Sequence, residues 1–333
     1  MDKIIMENQA KTMKAAVYSS YGPPEIVRLE EIPRPIPKAG EVLVKVVFSS
    51  VNRTDCGFRS AEYFISRFWS GLWKPNFSVL GCEFSGIVEE VGQGVSQFKK
   101  GDRVFGFNDQ TFGGHAEFLI QKENDAIALI PEGVSFETAA VLTEGAHYAL
   151  VDIKASGIVS GQKALVYGAT GAIGSAAIQI LKAMGVFVVA VVNSKGKEAI
   201  LALDVVDELW DYQTQDFTQT QHRFDLVLDA VGKSSFGVCK KLMTERGIYI
   251  STELGKNWEN VWLPLFKTFM KGPKVMFPMP TISKADVEFL GQLAAQSKLK
   301  PLIDRSYDLD QIVEAYSYVE TGQKLGNVLL KIN

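Results

Sequence analysis

"VYGATGAIGSAAIQ", residues 166–179, sets Gly168, Gly171 and Gly174 three apart between an apolar run and a stretch of small and apolar residues. The run before it, "KALVYG" (163–168), reads as a buried strand, and "AIGSAAIQILKAMG" (172–185) as a helix ended by Gly185. Strand, glycine turn and helix in that order form a phosphate-binding turn. One glycine permits the tight turn and a second lets a pyrophosphate approach the backbone. Gly174, with Ala176 and Ala177, lets the helix pack close on the sheet. The positive helix N-terminus then faces the pyrophosphate. The motif predicts that Gly168, Ala169, Thr170, Gly171, Ala172, Ile173 and Gly174 hold a dinucleotide. The alternative is a tight strand-to-helix turn with no ligand; the strand before and the helix after favour the cofactor.

The alternation extends outward from the turn. "VFVVAVV" (186–192) reads as a second strand, followed by a helix over about 195–203. Further strands are predicted at 208–212, 225–231, 247–252 and 274–280. Near-continuous Val/Leu/Ile runs alternating with helices predict a doubly wound parallel sheet covered on both faces, an α/β class. Upstream, Ser135 is the expected cap of one helix over 136–154. Downstream come helices over 283–298 and 308–322 and a last strand at 327–332. The first third differs: short β-branched or aromatic runs at 14–20, 41–51, 84–92, 102–107 and 115–121, separated by Gly/Pro clusters, predict a compact barrel or sandwich.

The second strand of the cofactor unit ends "VVNSKGK" (191–197). An NAD site usually has a carboxylate here for the ribose 2′-hydroxyl. This chain has Asn193, Ser194, Lys195 and Lys197 instead, so NADP(H) is favoured over NAD(H). The two lysines as ordinary solvated residues are the alternative. Tyr212, closing the next strand, is taken with them as a cofactor contact.

Composition narrows the class. The chain has 333 residues, long enough for two domains. It is 47% hydrophobic and 22% charged, with a formal net charge of −3 and no Lys/Arg run, which argues against a nucleic-acid partner. Three widely spaced cysteines, Cys56, Cys82 and Cys239, form neither a disulfide framework nor a zinc ribbon. No stretch approaches the ~18 apolar residues of a membrane span, and "MDKIIMENQAKTMKAAVY" lacks the apolar core of a signal peptide. A cytoplasmic protein with a loose extension over 1–12 is expected.

Three stretches together look like the medium-chain dehydrogenase/reductase superfamily: "PIPKAGEVLVKVVFSSVNRTD" (35–55), "GDRVFGF…GGHAEFLI" (101–120) and the glycine motif. The likeness runs from about Met13 to Asn333. It implies a GroES-like β-rich catalytic domain over 13–130, completed by 281–333, and a Rossmann cofactor domain over 131–280. The active site would lie in the cleft between them. "SSVNRTD" (49–55), "LTEG" (142–145) and the Ser/Lys arrangement at 194–197 most resemble the zinc-independent quinone oxidoreductase branch. That branch implies a homodimer formed through the edge of the Rossmann sheet.

The zinc-dependent relatives take ligands from the segments matching 49–55, 80–83 and the region near 143. Here those segments offer Asn52, Cys82 and Thr143 or Glu144, with Glu83 beside Cys82. Zinc wants three good protein ligands plus an open position. Asn is a poor one, and three cysteines cannot furnish a separate four-cysteine site. No zinc is therefore expected, and Cys82 is read as a buried thiol with Glu83 as an internal anchor. The chain also departs from the quinone-reductase pattern at Cys82, Thr143, Tyr148 and Asn327.

A metal-free site suits hydride transfer from the cofactor to a small-molecule acceptor that is already electron-poor, a quinone or a C=C conjugated to a carbonyl. Asn52 is the first candidate for hydrogen bonding to the developing oxyanion and Tyr63 the second. The competing roles are a turn cap for Asn52 and lid or core packing for Tyr63. Asp55 reads as a hydrogen-bond anchor. His147 is either a proton donor or a satisfied interior histidine, His115 packs or faces solvent, and His222 is expected to be exposed. The aromatic stretch 257–277 roofs a pocket or forms a subunit contact. Two other functions stay open: a zinc-type alcohol dehydrogenase with altered ligands, and a catalytically silent dinucleotide-binding redox sensor.

Overall fold

The computed structural model describes residues 11–62, 67–266 and 271–333. Its strands are β1 (Thr12–Val17), β2 (Arg28–Pro33), β3 (Glu41–Val51), β4 (Glu83–Val91), β5 (Arg103–Phe107), β6 (Phe118–Lys122), β7 (Ile127–Leu129), β8 (Lys163–Tyr167), β9 (Phe187–Val192), β10 (Glu208–Asp211), β11 (Phe224–Asp229), β12 (Met243–Ser251), β13 (Lys274–Met276), β14 (Ile303–Asp308) and β15 (Asn327–Lys331). Of the expected extension over 1–12, residues 1–10 lie outside the described residues and Thr12 already opens β1.

The six strands β10-β9-β8-β11-β12-β13 form a sheet in that order, every neighbouring pair parallel. This is the doubly wound order, with its reversal between β8 and β11. Strand residues alternate between two apolar layers. Val166, Val188, Ala190 and Leu228 pack into the main core. Leu165, Val189, Val191 and Val227 pack into a second core on the other face. The continuous Val/Leu runs have that cause: both faces are covered.

The other large sheet has the order β14-β15-β3-β4-β5-β7, with β6 also paired to β3. Its alternating residues Val42, Val44, Val46, Phe84, Val88 and Val104 share one core. The C-terminal strands β14 and β15 thus return to the N-terminal sheet. The chain passes between the two sheets through helix Glu144–Ser156, and helix Lys284–Ala295 brings it back.

Three differences from the expected elements have physical causes. Strands β2, β7 and β14 lie where none was expected; β2 and β14 are mostly exposed, and β7 has only three residues, so a period of two gives little signal. The expected helix over 136–154 is two helices, Phe136–Ala139 and Glu144–Ser156. The break occurs because the backbone N–H groups of Thr143 and Glu144 donate to the Glu83 carboxylate. The helix expected from 195 starts as a tight turn, Ser194–Gly196, before Lys197–Leu201.

Candidate active site

The glycine turn lies where the parallel sheet reverses its order. Gly168 follows β8 with φ +81°, a left-handed conformation that favours glycine. A Cβ there would also lie 2.6 Å from a methyl of Val231, which follows β11. A Cβ on Gly174 would stand 2.2 Å from the Gly168 carbonyl oxygen. Gly171 differs: its φ is −77°, and a Cβ would meet nothing nearer than 3.7 Å. Open space thus stands over the backbone that caps helix Ala172–Ala183, and no side chain caps that helix. Its first N–H groups are presented to whatever enters. This fits a dinucleotide pyrophosphate.

The expected ribose edge lies against this turn. A Cβ on Gly196 would meet the Thr170 methyl at 2.2 Å, so the Asn193–Lys197 bend packs on the glycine turn. Asn193 caps the bend through Oδ1, which accepts from the Gly196 N–H at 2.9 Å. Ser194 Oγ donates to Asp211 Oδ2 at 2.5 Å, and Asp211 Oδ1 accepts from the Gln213 N–H. Those bonds hold the Asp211 carboxyl below the usual carboxylate range. Lys195, Lys197 and Tyr212 are exposed, and the Tyr212 ring leans on Tyr167 at 5.7 Å.

The opposite wall comes from the N-terminal sheet. Asn52 follows β3 and caps helix Arg53–Ser60 in a reciprocal box with Asp55. Its Oδ1 accepts from the Asp55 N–H at 3.0 Å. Its Nδ2 donates to Cys82 Sγ at 3.1 Å and to Ser50 Oγ at 3.4 Å. Asn52 is buried and its polar atoms all have protein partners. Tyr63 lies outside the described residues. Asp55 accepts from the Gly81 N–H at 3.0 Å, and its burial pushes its pKa up to about 7.

Glu83 joins this wall to the cofactor side. It is fully buried, and burial, then the nearby Glu144, push its pKa up to about 7. Oε1 meets Ser50 Oγ at 2.5 Å. Oε2 accepts from the Glu144 N–H at 2.8 Å, Thr143 Oγ1 at 3.0 Å and the Thr143 N–H at 3.2 Å. A carboxylate from β4 therefore caps helix Glu144–Ser156, whose own Thr143 side chain does not. One residue on, a Cβ on Gly145 would lie 2.7 Å from the Ala172 backbone. The first turns of the two helices thus touch, and Glu144 stands beside the glycine turn.

Sequence reading did not single out Thr54 or Lys324. Thr54 Oγ1 donates to Glu144 Oε1 at 2.9 Å. Lys324 is half-buried and donates from Nζ to the Gly326 carbonyl. Burial lowers its pKa against the pull of Glu144 and Glu83. The same loop is tied to the glycine turn through the Gly326 N–H and the Thr170 carbonyl at 2.7 Å. Across the cleft mouth, Arg53 Nη2 stands 3.8 Å from Glu253. The signal for Thr54 was its place inside the Asn52–Asp55 capping box; Lys324 had none.

The histidines resolve separately. His115 donates from Nε2 to the Ser50 carbonyl and takes the Tyr316 hydroxyl at Nδ1. Burial lowers its pKa to about 4, so it is a neutral, satisfied interior residue. His222 is half-buried between Phe187 and Phe224, 3.1 Å from Glu208. His147 donates from Nδ1 to the Thr143 carbonyl, its own helix's cap residue, which leaves the Nε2 lone pair toward a cleft. That cleft, about 740 Å³, is walled by Phe107, Asn108, Asp109, His147 and residues 280–284. Of the aromatic stretch 257–277, Trp258, Trp262, Leu265 and Phe266 are exposed, and the turn Leu263–Phe266 lies against β13.

The donors do not fit zinc. The Asn52 amide is consumed by its own hydrogen bonds, and burial raises the Cys82 pKa well above its ordinary value, which disfavours the thiolate that zinc requires. Among the described residues, no three His, Cys, Asp or Glu side chains converge as a metal site.

Comparison with known proteins follows this geometry. The alcohol dehydrogenase GroES-like domain family matches residues 38–159, and the zinc-binding dehydrogenase family matches residues 205–330. The 2-methylene-furan-3-one reductase of Solanum lycopersicum is 29% identical over 96% of this chain and 79% of its own. The NADPH-dependent alkenal/one oxidoreductase, chloroplastic, of Arabidopsis thaliana is 27% identical over 96% of this chain and 80% of its own. The solved quinone oxidoreductase from Coxiella burnetii superposes with a TM-score of 0.84, at 26% identity over 97% of this chain and all of that one. With two sheets, a glycine turn at the strand-order reversal and these relatives, the chain is an oxidoreductase belonging to the medium-chain dehydrogenase/reductase superfamily, in its quinone oxidoreductase-like group.

Proposed function

We propose that this oxidoreductase uses NADPH to reduce quinones or C=C bonds conjugated to a carbonyl, without metal. The observation that carries the reading is the contact of Gly145 with Ala172. It sets the uncapped cofactor helix against the first turn, with Glu144, of the helix that also carries Tyr148. When bound, the reduced nicotinamide supplies the hydride. The chain's own work is to bind, orient and exclude water. Gly168 to Gly174 take the pyrophosphate on backbone N–H groups. Lys195 and Lys197 take the 2′-phosphate, while Asp211 is occupied by Ser194 and Gln213. Asn52, Cys82 and Glu83 form a hydrogen-bonded wall that holds Thr54 and Glu144 in place.

An acceptor that is already electron-poor suits such a wall, because its described donors Asn52, Thr54 and Ser50 are engaged with Cys82, Glu144 and Glu83. A homodimer along β13 is part of the proposal, supported by the exposed Leu265 and Phe266 in the turn against that edge strand and by the exposed Trp258 and Trp262 that precede it in the chain. A cytoplasmic place is supported by three cysteines that are all free and buried. No described helix is long and apolar enough to cross a membrane.

The test is loss of NADPH absorbance with purified protein on a panel of quinones and enones, with metal analysis of the same sample. Turnover on either class, unchanged by a chelator, is expected. Inertness across both classes, or stoichiometric zinc needed for activity, overturns the reading.

A further inference from the structure

The cleft beside His147 has a buried floor of Phe107, Gln121, Ala126 and His147, while Asp109 and Lys122 stand exposed at its rim. The side-chain polar atoms of that floor have partners, with one exception. Gln121 Oε1 accepts from Asn108 Nδ2 at 2.8 Å, and Gln121 Nε2 donates to the Phe107 carbonyl at 3.3 Å. Asn108 is spent as well: Oδ1 accepts from the N–H groups of Gln110 and Thr111, and Nδ2 also donates to Thr111 Oγ1. His147 is 2% exposed, and its Nδ1 donates to the Thr143 carbonyl at 3.0 Å. A carbonyl only accepts, so that bond fixes the tautomer and leaves the lone pair on Nε2. Among the described residues Nε2 has no hydrogen-bond partner. The ring is held between Phe107 at 4.6 Å and Tyr148 at 4.4 Å. Two residues before it, Gly145 packs on Ala172 at the head of the cofactor helix. The floor of the cleft and the cofactor turn therefore meet the same first turn of helix Glu144–Ser156.

We propose that this cleft holds the acceptor and that His147 Nε2 selects an enone carrying a hydroxyl group, by accepting a hydrogen bond from that hydroxyl. The inference rests on the reductase reading above and narrows its substrate class. The cleft, about 740 Å³, is of the size that encloses a small molecule. A plain enone or a quinone presents only acceptor atoms. It displaces solvent from Nε2 without replacing the hydrogen bond, and a buried lone pair is left unpaired. A hydroxylated enone supplies the missing donor and turns that loss into a contact.

The protonation state fits this role. Burial lowers the His147 pKa against the pull of Glu144, the Thr143 carbonyl and Asp109, so the ring is neutral near pH 7 and Nε2 keeps its lone pair. No bond is made or broken at His147. It reads the substrate and leaves the hydride step to the cofactor.

The test pairs a γ-hydroxy-enone with the enone of the same chain length, using NADPH, on the wild type, His147→Phe and His147→Gln. The quantity read is the ratio of the two kcat/KM values; comparing it between proteins cancels the difference in intrinsic reactivity. His147→Phe keeps an aromatic ring against Phe107 and removes Nε2. Its preference for the hydroxy-enone is expected to fall about tenfold, the scale of one hydrogen bond. His147→Gln returns an acceptor oxygen to the end of the side chain and is expected to hold the ratio within about threefold of wild type. A packing defect lowers both substrates alike and leaves the ratio in place. A ratio unchanged in His147→Phe overturns the selection while the reductase reading stands. A second measurement needs no variant. In wild type labelled with [15N]histidine and saturated with NADP⁺, the saturated γ-hydroxy-ketone should move the unprotonated-nitrogen signal of one histidine, and the ketone without the hydroxyl should not. Equal shifts with the two ketones, or none with either, overturn the proposal. A wild type inert on both enones that still reduces quinones overturns the substrate class alone. A wild type inert on enones and quinones overturns the reductase reading and the selection with it.

Discussion

Glu83→Gln separates the two things this buried carboxyl does. Its Oε2 receives three donors, two of them backbone N–H groups that cannot turn away. Its Oε1 faces Ser50 Oγ at 2.5 Å. A protonated carboxyl satisfies this arrangement, with Oε2 accepting and Oε1–H donating to Ser50. Glutamine reproduces that form, with its amide oxygen toward Thr143 and Glu144 and its NH₂ toward Ser50. The folded pKa is about 7 against an ordinary 4.5, so the folded state holds the proton more tightly than the unfolded one. Stability from Glu83 is therefore complete below pH 4.5 and lost as pH rises through 7. A rise from 4.5 to about 7 is worth about 3.4 kcal/mol. Glu83→Gln is expected to match the wild type near pH 5 and exceed it by roughly 2–4 kcal/mol at pH 8.5. Glu83→Ala strands the two backbone donors and is expected to lose about 2–6 kcal/mol at pH 5. Urea unfolding followed by tryptophan fluorescence at both pH values reads all three. Asp55 and Asp152, also raised to about 7, titrate in every variant and cancel in the comparison. A Glu83→Gln protein that tracks the wild type from pH 5 to 8.5 would show that the folded carboxyl is ionised throughout, and would refute the argument.

Gly174→Ala puts a Cβ 2.2 Å from the Gly168 carbonyl and so pushes the helix off the turn. NADPH affinity measured by fluorescence titration should fall at least tenfold, about 1.4 kcal/mol, while the far-UV spectrum is kept. Replacing Lys195 and Lys197 together by Ala should weaken NADPH by about tenfold and leave NADH within twofold. Equal weakening of the two would remove the lysines from the 2′-phosphate.

Legibility in the sequence followed where a residue's neighbours lie along the chain. The Rossmann strands announce themselves because both their faces are buried, and Gly168 and Gly174 because local packing demands them. The N-terminal sheet was readable as short strands, but β14 was missed because its exposed Ile303–Asp308 lacks an apolar face. The break at Thr143 was invisible for a different reason. "AAVLTEGAH" is a sound helical sequence, and only a carboxylate 60 residues upstream interrupts it. The Ser135 cap was read correctly, for its partner is three residues away. Asn52 was readable as a cap for the same reason, yet its bond to Cys82 spans 30 residues. Thr54 was readable only as part of that capping box, and its bond to Glu144, 90 residues on, comes from folding, while Lys324 carried no signal.

The pairing of Cys82 with Glu83 is best understood through what the carboxylate touches. Burial first, and then the neighbouring carboxyls of Asp55, Glu144 and Glu83, raise the Cys82 pKa well above its ordinary value, so its proton stays on and it serves as an acceptor for Asn52. The glutamate beside it does not serve the thiol. It reaches across to the first turn of helix Glu144–Ser156, and that turn is what Gly145 presses against Ala172. Glu83 therefore ties the N-terminal sheet to the turn that packs on the cofactor helix. A change at Glu83 should therefore move the start of this helix relative to the cofactor turn. In Glu83→Gln at pH 8.5, the helix keeps its cap and stability rises. Enone turnover should then stay within a few-fold of wild type even as the protein becomes harder to unfold, whereas Glu83→Ala should lose turnover and stability together. A Glu83→Ala protein that keeps its enone kcat would show that the cap does not position this helix for turnover.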